Sequence, residues 1–190
     1  TYLTLMHNLS IVYSELKEYS SAYMIFLKMG HHYKNFYGVN SKVYIKHLRN
    51  FAELYRNLGN SRKSIELNLE VLKKTKTNFG EDDPDYILSL NNLGMAYLSD
   101  DKFVDLKIPL SYLQEANKLS KLYLNKFNPH YGTILQNLSV YYQIIGDKFN
   151  TLKYRLEYLN IKRDRYLLFE QSLNKENRNY LYNTIFQTFS

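Results

Sequence analysis

"FGEDDPDYILSLNNLGMAY", Phe79 to Tyr97, begins as an acidic, proline-bearing turn and ends as an apolar-periodic segment. Asp83 is placed to cap a helix. Pro84 suits the first helical turn, where no backbone N–H is needed, and Asp85 suits the positive helix end. Gly80 is placed to end a preceding helix. Leu90, Leu93 and Tyr97 recur three and four apart, which gathers them on one helix face. An acidic cluster can also hold a cation, but "GEDDPD" lacks the spaced ligands and closing Glu of a calcium-binding loop.

The same arrangement recurs. Asn8-Leu9, Asn50-Phe51, Asn92-Leu93 and Asn137-Leu138 fall into one column, at steps of 42, 42 and 45 residues. Met6, Leu48, Leu90 and Leu135 form a second column, and Tyr13, Tyr55, Tyr97 and Tyr142 a third. Ser10, Ala52, Gly94 and Ser139, all small, form a fourth. A period of this length marks a repeat architecture, in which each unit buries its apolar face against its neighbours.

Each copy reads as two helices. After the tyrosine comes a stop, Gly59-Asn60 in the second copy and Gly146-Asp147 in the fourth. A second apolar-periodic segment follows, such as Ile65, Leu69 and Leu72. The small column lets the second helix approach the first. Asn128-Pro129 opens the fourth copy as Asp83-Pro84 opens the third. The three additional residues of the third copy are expected in "SDDKFVDLKI", 99–108, with Pro109 at the start of the second helix. A longer helix kinked at Pro109 is the alternative.

Composition agrees with long helices. The chain has 190 residues, of which 45% are hydrophobic, with 7 Gly, 3 Pro and 20 Tyr. That is enough for a continuous core and too few turn residues for an all-β fold. No cysteine is present, which excludes disulfides and thiolate metal sites. The longest apolar run, Ala22 to Leu27, falls far short of the ~20 residues that span a bilayer. The chain opens at Thr1 without a leader, so it is expected to be a piece of a longer protein, with a cytoplasmic location as the working expectation. The net charge of +7 permits anionic partners, or it simply solvates helix faces.

The small residue beside the leucine, the tyrosine three further on, the glycine at the inter-helix turn and the alanine in "YLQEANKL" resemble the tetratricopeptide repeat. The long period and "FGEDDPDY…LNNLGMAYL" are similar to the subtype of kinesin light chains and many bacterial proteins. Ser64, Val71 and Thr151 depart from the small alanines usual in second helices. The resemblance implies an all-α, right-handed α-solenoid of about four repeats over 1–172 (1–40, 41–82, 83–127 and 128–172). Segment 173–190 is expected as a capping or linking helix, and its pattern resembles the segment before the caspase-like CHAT protease domain of bacterial repeat proteins.

The resemblance also implies a concave face lined by the first helices, where a protein or peptide partner binds. The residues expected there are His7, Asn8 and Ile11; Lys46, Arg49, Asn50, Glu53, Arg56 and Asn57; Asn91, Asn92 and Met95; and Gln136, Asn137 and Gln143. Asn is mediocre inside a helix, so an Asn column has either a ligand's backbone to hold or a neighbouring repeat to bond. Lys46, Arg49 and Arg56 around Glu53 offer either an anchor for an acidic group or an internally paired surface.

Competing readings are a regulatory arm preceding a catalytic domain and single-strand nucleic-acid binding by tyrosines on a basic groove. The second is disfavoured because many tyrosines sit in apolar columns. Catalysis within the segment is not expected. His31 and His32 are adjacent rather than four apart, and no nucleophile elbow or phosphate-binding glycine loop occurs. No cofactor, metal or membrane is expected, and exposed ends of the array suit a homodimer.

Overall fold

The computed structural model describes residues 2–100 and 105–172, all helix and turn. The chain divides into two compact units, 1–125 and 126–190.

Among the described residues the first unit holds six helices: α1 (Tyr2–Glu15), α2 (Tyr19–Tyr37), α3 (Lys42–Asn57), α4 (Ser61–Phe79), α5 (Pro84–Leu98) and α6 (Lys107–Tyr123). Each packs on the next, so three antiparallel hairpins stack in chain order. The second unit is a hairpin of the same design, α7 (Pro129–Ile144) on α8 (Lys148–Ser172). The expected helix pair per repeat is what the structure contains. Segment 173–190 lies outside the described residues.

The caps follow the sequence chemistry. Ser41, Asp83 and Asn128 precede α3, α5 and α7, and each side chain accepts a hydrogen bond from a backbone N–H of the first turn. Pro84 and Pro129 occupy the first helical positions. Gly80 closes α4, its N–H donating to the Lys76 carbonyl.

The turn between paired helices is built from the tyrosine column. The N–H groups of Glu18, Asn60 and Asp147 donate to the carbonyls of Tyr13, Tyr55 and Tyr142 at 2.8, 2.9 and 2.9 Å. Lys17, Gly59 and Gly146 donate to the carbonyls of Ser14, Arg56 and Gln143. This pair of bonds satisfies carbonyls left over at a helix end, and the residue between must enter the left-handed region. Gly59 and Gly146 do so at φ 74° and 78°; in the first hairpin Lys17 does so at φ 60°. In the third hairpin the corresponding positions lie in 101–104, outside the described residues. Its helices are joined by 99–106, and α6 starts at Lys107, two residues before Pro109.

The small column faces the partner helix. A Cβ on Gly94 would lie 3.0 Å from the Pro109 carbonyl oxygen and 2.9 Å from Leu113 Cγ. Ser10 and Ala52 are fully buried, and Ser139 Oγ donates to the Thr151 carbonyl at 3.3 Å. Ser64, Val71 and Thr151, atypical by sequence, are all buried in their second helices. Size is also traded across the hairpins. Ile45 packs with Val71 in the second, whereas in the fourth Gly132 faces the ring of Tyr158, 3.2 Å from where its Cβ would stand.

Aromatic rings complete the core. Tyr97 stacks on Tyr112 and Tyr142 on Tyr154, with centroids 5.9 and 5.5 Å apart. Tyr55 instead meets Tyr23 of the preceding hairpin edge-on at 5.9 Å, its hydroxyl donating to the Tyr23 oxygen at 3.4 Å. Burial and this contact push the Tyr55 phenol up to about 12. In the second unit the Tyr131 hydroxyl donates to Glu157, and burial foremost, then this carboxylate, raises Tyr131.

Candidate functional site

In the first unit, α1 and α3 form the walls of a groove whose floor is α2. One cavity of about 380 Å³ is lined by His7, Ser10, Ile11, Ser14 and Glu15 from α1, Phe26 from α2, and Asn50, Glu53, Leu54 and Asn57 from α3. A second of about 230 Å³ shares His7 and Asn50 with the first and adds Met29, Tyr33, Val43, Lys46 and His47. On α3 the stripe Lys46, Asn50, Glu53 and Asn57 follows the helical repeat, so these four side chains share one face. Buried Leu54 and Phe26 and exposed Ile11 are the apolar side chains of the larger cavity. Its polar lining comprises the amides of Asn50 and Asn57, the carboxylates of Glu15 and Glu53, the hydroxyls of Ser10 and Ser14 and the His7 ring.

The structure thus brings together His7, Ile11, Lys46, Asn50, Glu53 and Asn57 of the residues expected from sequence. The others stand elsewhere. Asn8 is exposed on α1 outside the cavity lining. Asn91 is fully buried and donates to the Asn92 side-chain oxygen at 3.1 Å. Asn92 and Met95 are half-buried on α5. In the second unit Gln136 and Gln143 are exposed on α7 and Asn137 is half-buried; Gln143 accepts from Arg155 at 3.1 Å.

The basic residues of α3 are divided. Lys46 is exposed on the groove. Arg49 is turned away from it: the side chain is 10% exposed, and its Nη1 donates to Asp85 Oδ1 at 2.7 Å. Lys42 donates to Asp83 at 2.8 Å, and this hydrogen bond foremost raises the Lys42 ammonium above its ordinary value. The acidic turn at Asp83 and Asp85 therefore caps α5 and also holds two cations of α3. Arg56 lies 3.4 Å from Glu53, a long pair between partly solvated groups. Among the described residues no cluster of three or more His, Asp or Glu is placed to hold a metal.

His47 separates the groove from the outer surface. It is 5% exposed, and its ring packs near those of Phe26, Tyr33, Tyr44 and Phe51, with centroids 5.3 to 6.3 Å away. Its Nδ1 has no hydrogen-bond partner. Burial, with a smaller contribution from His7, holds its pKa down to about 4. Sequence reasoning passed over His47; its signal was a position one residue before Leu48 of the apolar column, where the helix turns toward α2.

Comparison with known proteins matches one repeat by sequence and the fold by structure. Residues 45–85 match the model of a tetratricopeptide repeat. A comparison with curated protein sequences finds no match. Among solved structures, a putative kinesin light chain of Podosopora anserina with nearly identical TPR-like repeats is similar at a TM-score of 0.68 and 15% identity. The match covers 92% of this chain and 78% of that one. BtubC (BKLC) from P. vanneervenii is similar at the same TM-score and 15% identity, over 86% of this chain and 64% of that one, just under two thirds of its length. No helix among the described residues is long and apolar enough to cross a membrane. Residues 45–85 thus match a tetratricopeptide repeat, and the fold of the chain, helical hairpins joined by short turns, is similar to that of solved repeat structures of this kind.

Proposed function

We propose that this array is a non-enzymatic protein-interaction module and that the α1–α3 groove binds an extended peptide segment of its partner. The observation that supports the reading is the pair of cavities sharing His7 and Asn50, lined by apolar side chains together with the amides of Asn50 and Asn57. Side-chain amides offer both a donor and an acceptor, which suits the backbone of an extended chain. Apolar side chains of alternate residues would then reach Ile11 and Leu54. The repeat family and the folds it resembles support the same class of function.

The test is selection of peptides from a random dodecapeptide phage library on the immobilised chain, followed by anisotropy titration of the enriched peptides. Asn50→Ala with Asn57→Ala is expected to weaken binding at least fivefold with far-UV circular dichroism unchanged. Absence of enriched peptides, or binding indifferent to the double substitution, overturns the reading.

A further inference from the structure

The groove has an electrical direction, and it specifies what kind of peptide fits. Lys46 stands at the end where the smaller cavity lies, and Glu15 and Glu53 line the larger. Arg49, which could have made this face uniformly basic, is withdrawn to Asp85. Arg56 does not line either cavity, and its contact with Glu53 is long and solvent-accessible, a pair that an incoming cation can displace. The remaining lining residues shared by both cavities, His7 and Asn50, separate the two charged ends. One end of the groove is therefore cationic and the other carries two carboxylates.

Resting on the reading of this face as a peptide groove, we infer that its ligand is a dipolar segment. A Lys or Arg of the partner meets Glu15 and Glu53, and an Asp or Glu about three positions away meets Lys46. The spacing follows from geometry. Lys46 and Glu53 are seven positions apart on α3, about 10 Å at 1.5 Å per residue. An extended chain covers that in about three residues at ~3.3 Å each. Charge-assisted bonds at both ends fix the direction in which the segment lies, because reversing it places like charges together.

Five fluorescein-labelled dodecapeptides distinguish the outcomes, identical except for the central pair at i and i+3: Lys/Glu, Glu/Lys, Lys/Lys, Glu/Glu and Gln/Gln. One of the two dipolar orders is expected to bind about tenfold more tightly than Gln/Gln and more tightly than either like-charged peptide. In the variant Lys46→Glu with Glu15→Lys and Glu53→Gln, preference is expected to pass to the other like-composed order, a switch that mere misfolding cannot produce. Equal binding of all five peptides, or tightest binding of a like-charged one, overturns the inference while leaving the groove reading in place. Binding of none overturns both. Loss of all binding by the variant with retained helicity also counts against the inference, since the reversed field must accept the reversed ligand.

Discussion

Arg49 on α3 and Asp85 on α5 form an ion pair at 2.7 Å across 36 positions of the chain, joining the second hairpin to the third. The arginine is nearly enclosed and the carboxylate partly so. Removing one partner therefore leaves a poorly solvated charge behind. Arg49→Ala is expected to lower stability by about 2–3 kcal/mol in urea titration. A double-mutant cycle with Asp85→Ala should return a coupling above ~1 kcal/mol. The more exposed pair Lys42–Asp83 should return less than that.

His47 makes the array acid-sensitive. Its pKa is near 4 when folded and near the usual ~6.5 when unfolded. Between those values the unfolded chain binds the proton and the folded chain does not, so stability falls as pH drops from ~6.5 to 4. The contribution lost is about 3 kcal/mol. His47→Leu removes the unpartnered Nδ1 and is expected to be neutral or stabilising at pH 7, with a flatter dependence on pH in this window. Equilibrium unfolding at several pH values checks both expectations.

Lys17 occupies the turn position that glycine fills in two other hairpins. A residue with a Cβ is disfavoured in the left-handed region, whereas glycine enters it freely. Lys17→Gly should stabilise the chain by about 0.5–1 kcal/mol, after allowance for the extra freedom of glycine when unfolded. Thermal unfolding of the variant would reveal it as a raised Tm.

Gly94 is fixed by contact rather than by turn geometry. Gly94→Ala presses a methyl group on the Pro109 carbonyl, which cannot swing aside, and on Leu113. The expected cost is about 2 kcal/mol. Gly132→Ala meets only the edge of the Tyr158 ring at 3.2 Å and should cost less. Urea titration of the two variants side by side tests the difference.

The features that can be read directly in the sequence are those made by near neighbours. Asp83 and Asn128 as caps, the proline after each, and Tyr55 and Tyr142 before the turns of the second and fourth hairpins are local chemistry, and all hold in the structure. Lys17 escaped notice because nothing in a lysine signals a left-handed backbone. In α3 the sequence placed Arg49 and Arg56 beside Lys46 and Glu53 on spacing alone. Arg49 shares its stripe with Ile45 and Ala52, both buried, and so turns toward the next hairpin rather than the groove. Its partner, Asp85, is remote in sequence, and no local pattern names it. The aromatic partners Tyr112 and Tyr154 were likewise missed, because they recur in only two of the second helices.

Within the first unit each helix packs chiefly on the one before and the one after, and Lys42 and Arg49 throw ionic clasps forward to Asp83 and Asp85. Such a stack has no single centre whose failure releases everything at once. It should unravel from its margins, with amide exchange fastest in α1 and slowest where the clasps double the seam between neighbours. Salt, by loosening the exposed Lys42–Asp83 clasp more than the enclosed Arg49–Asp85 one, would set how far inward the fraying runs.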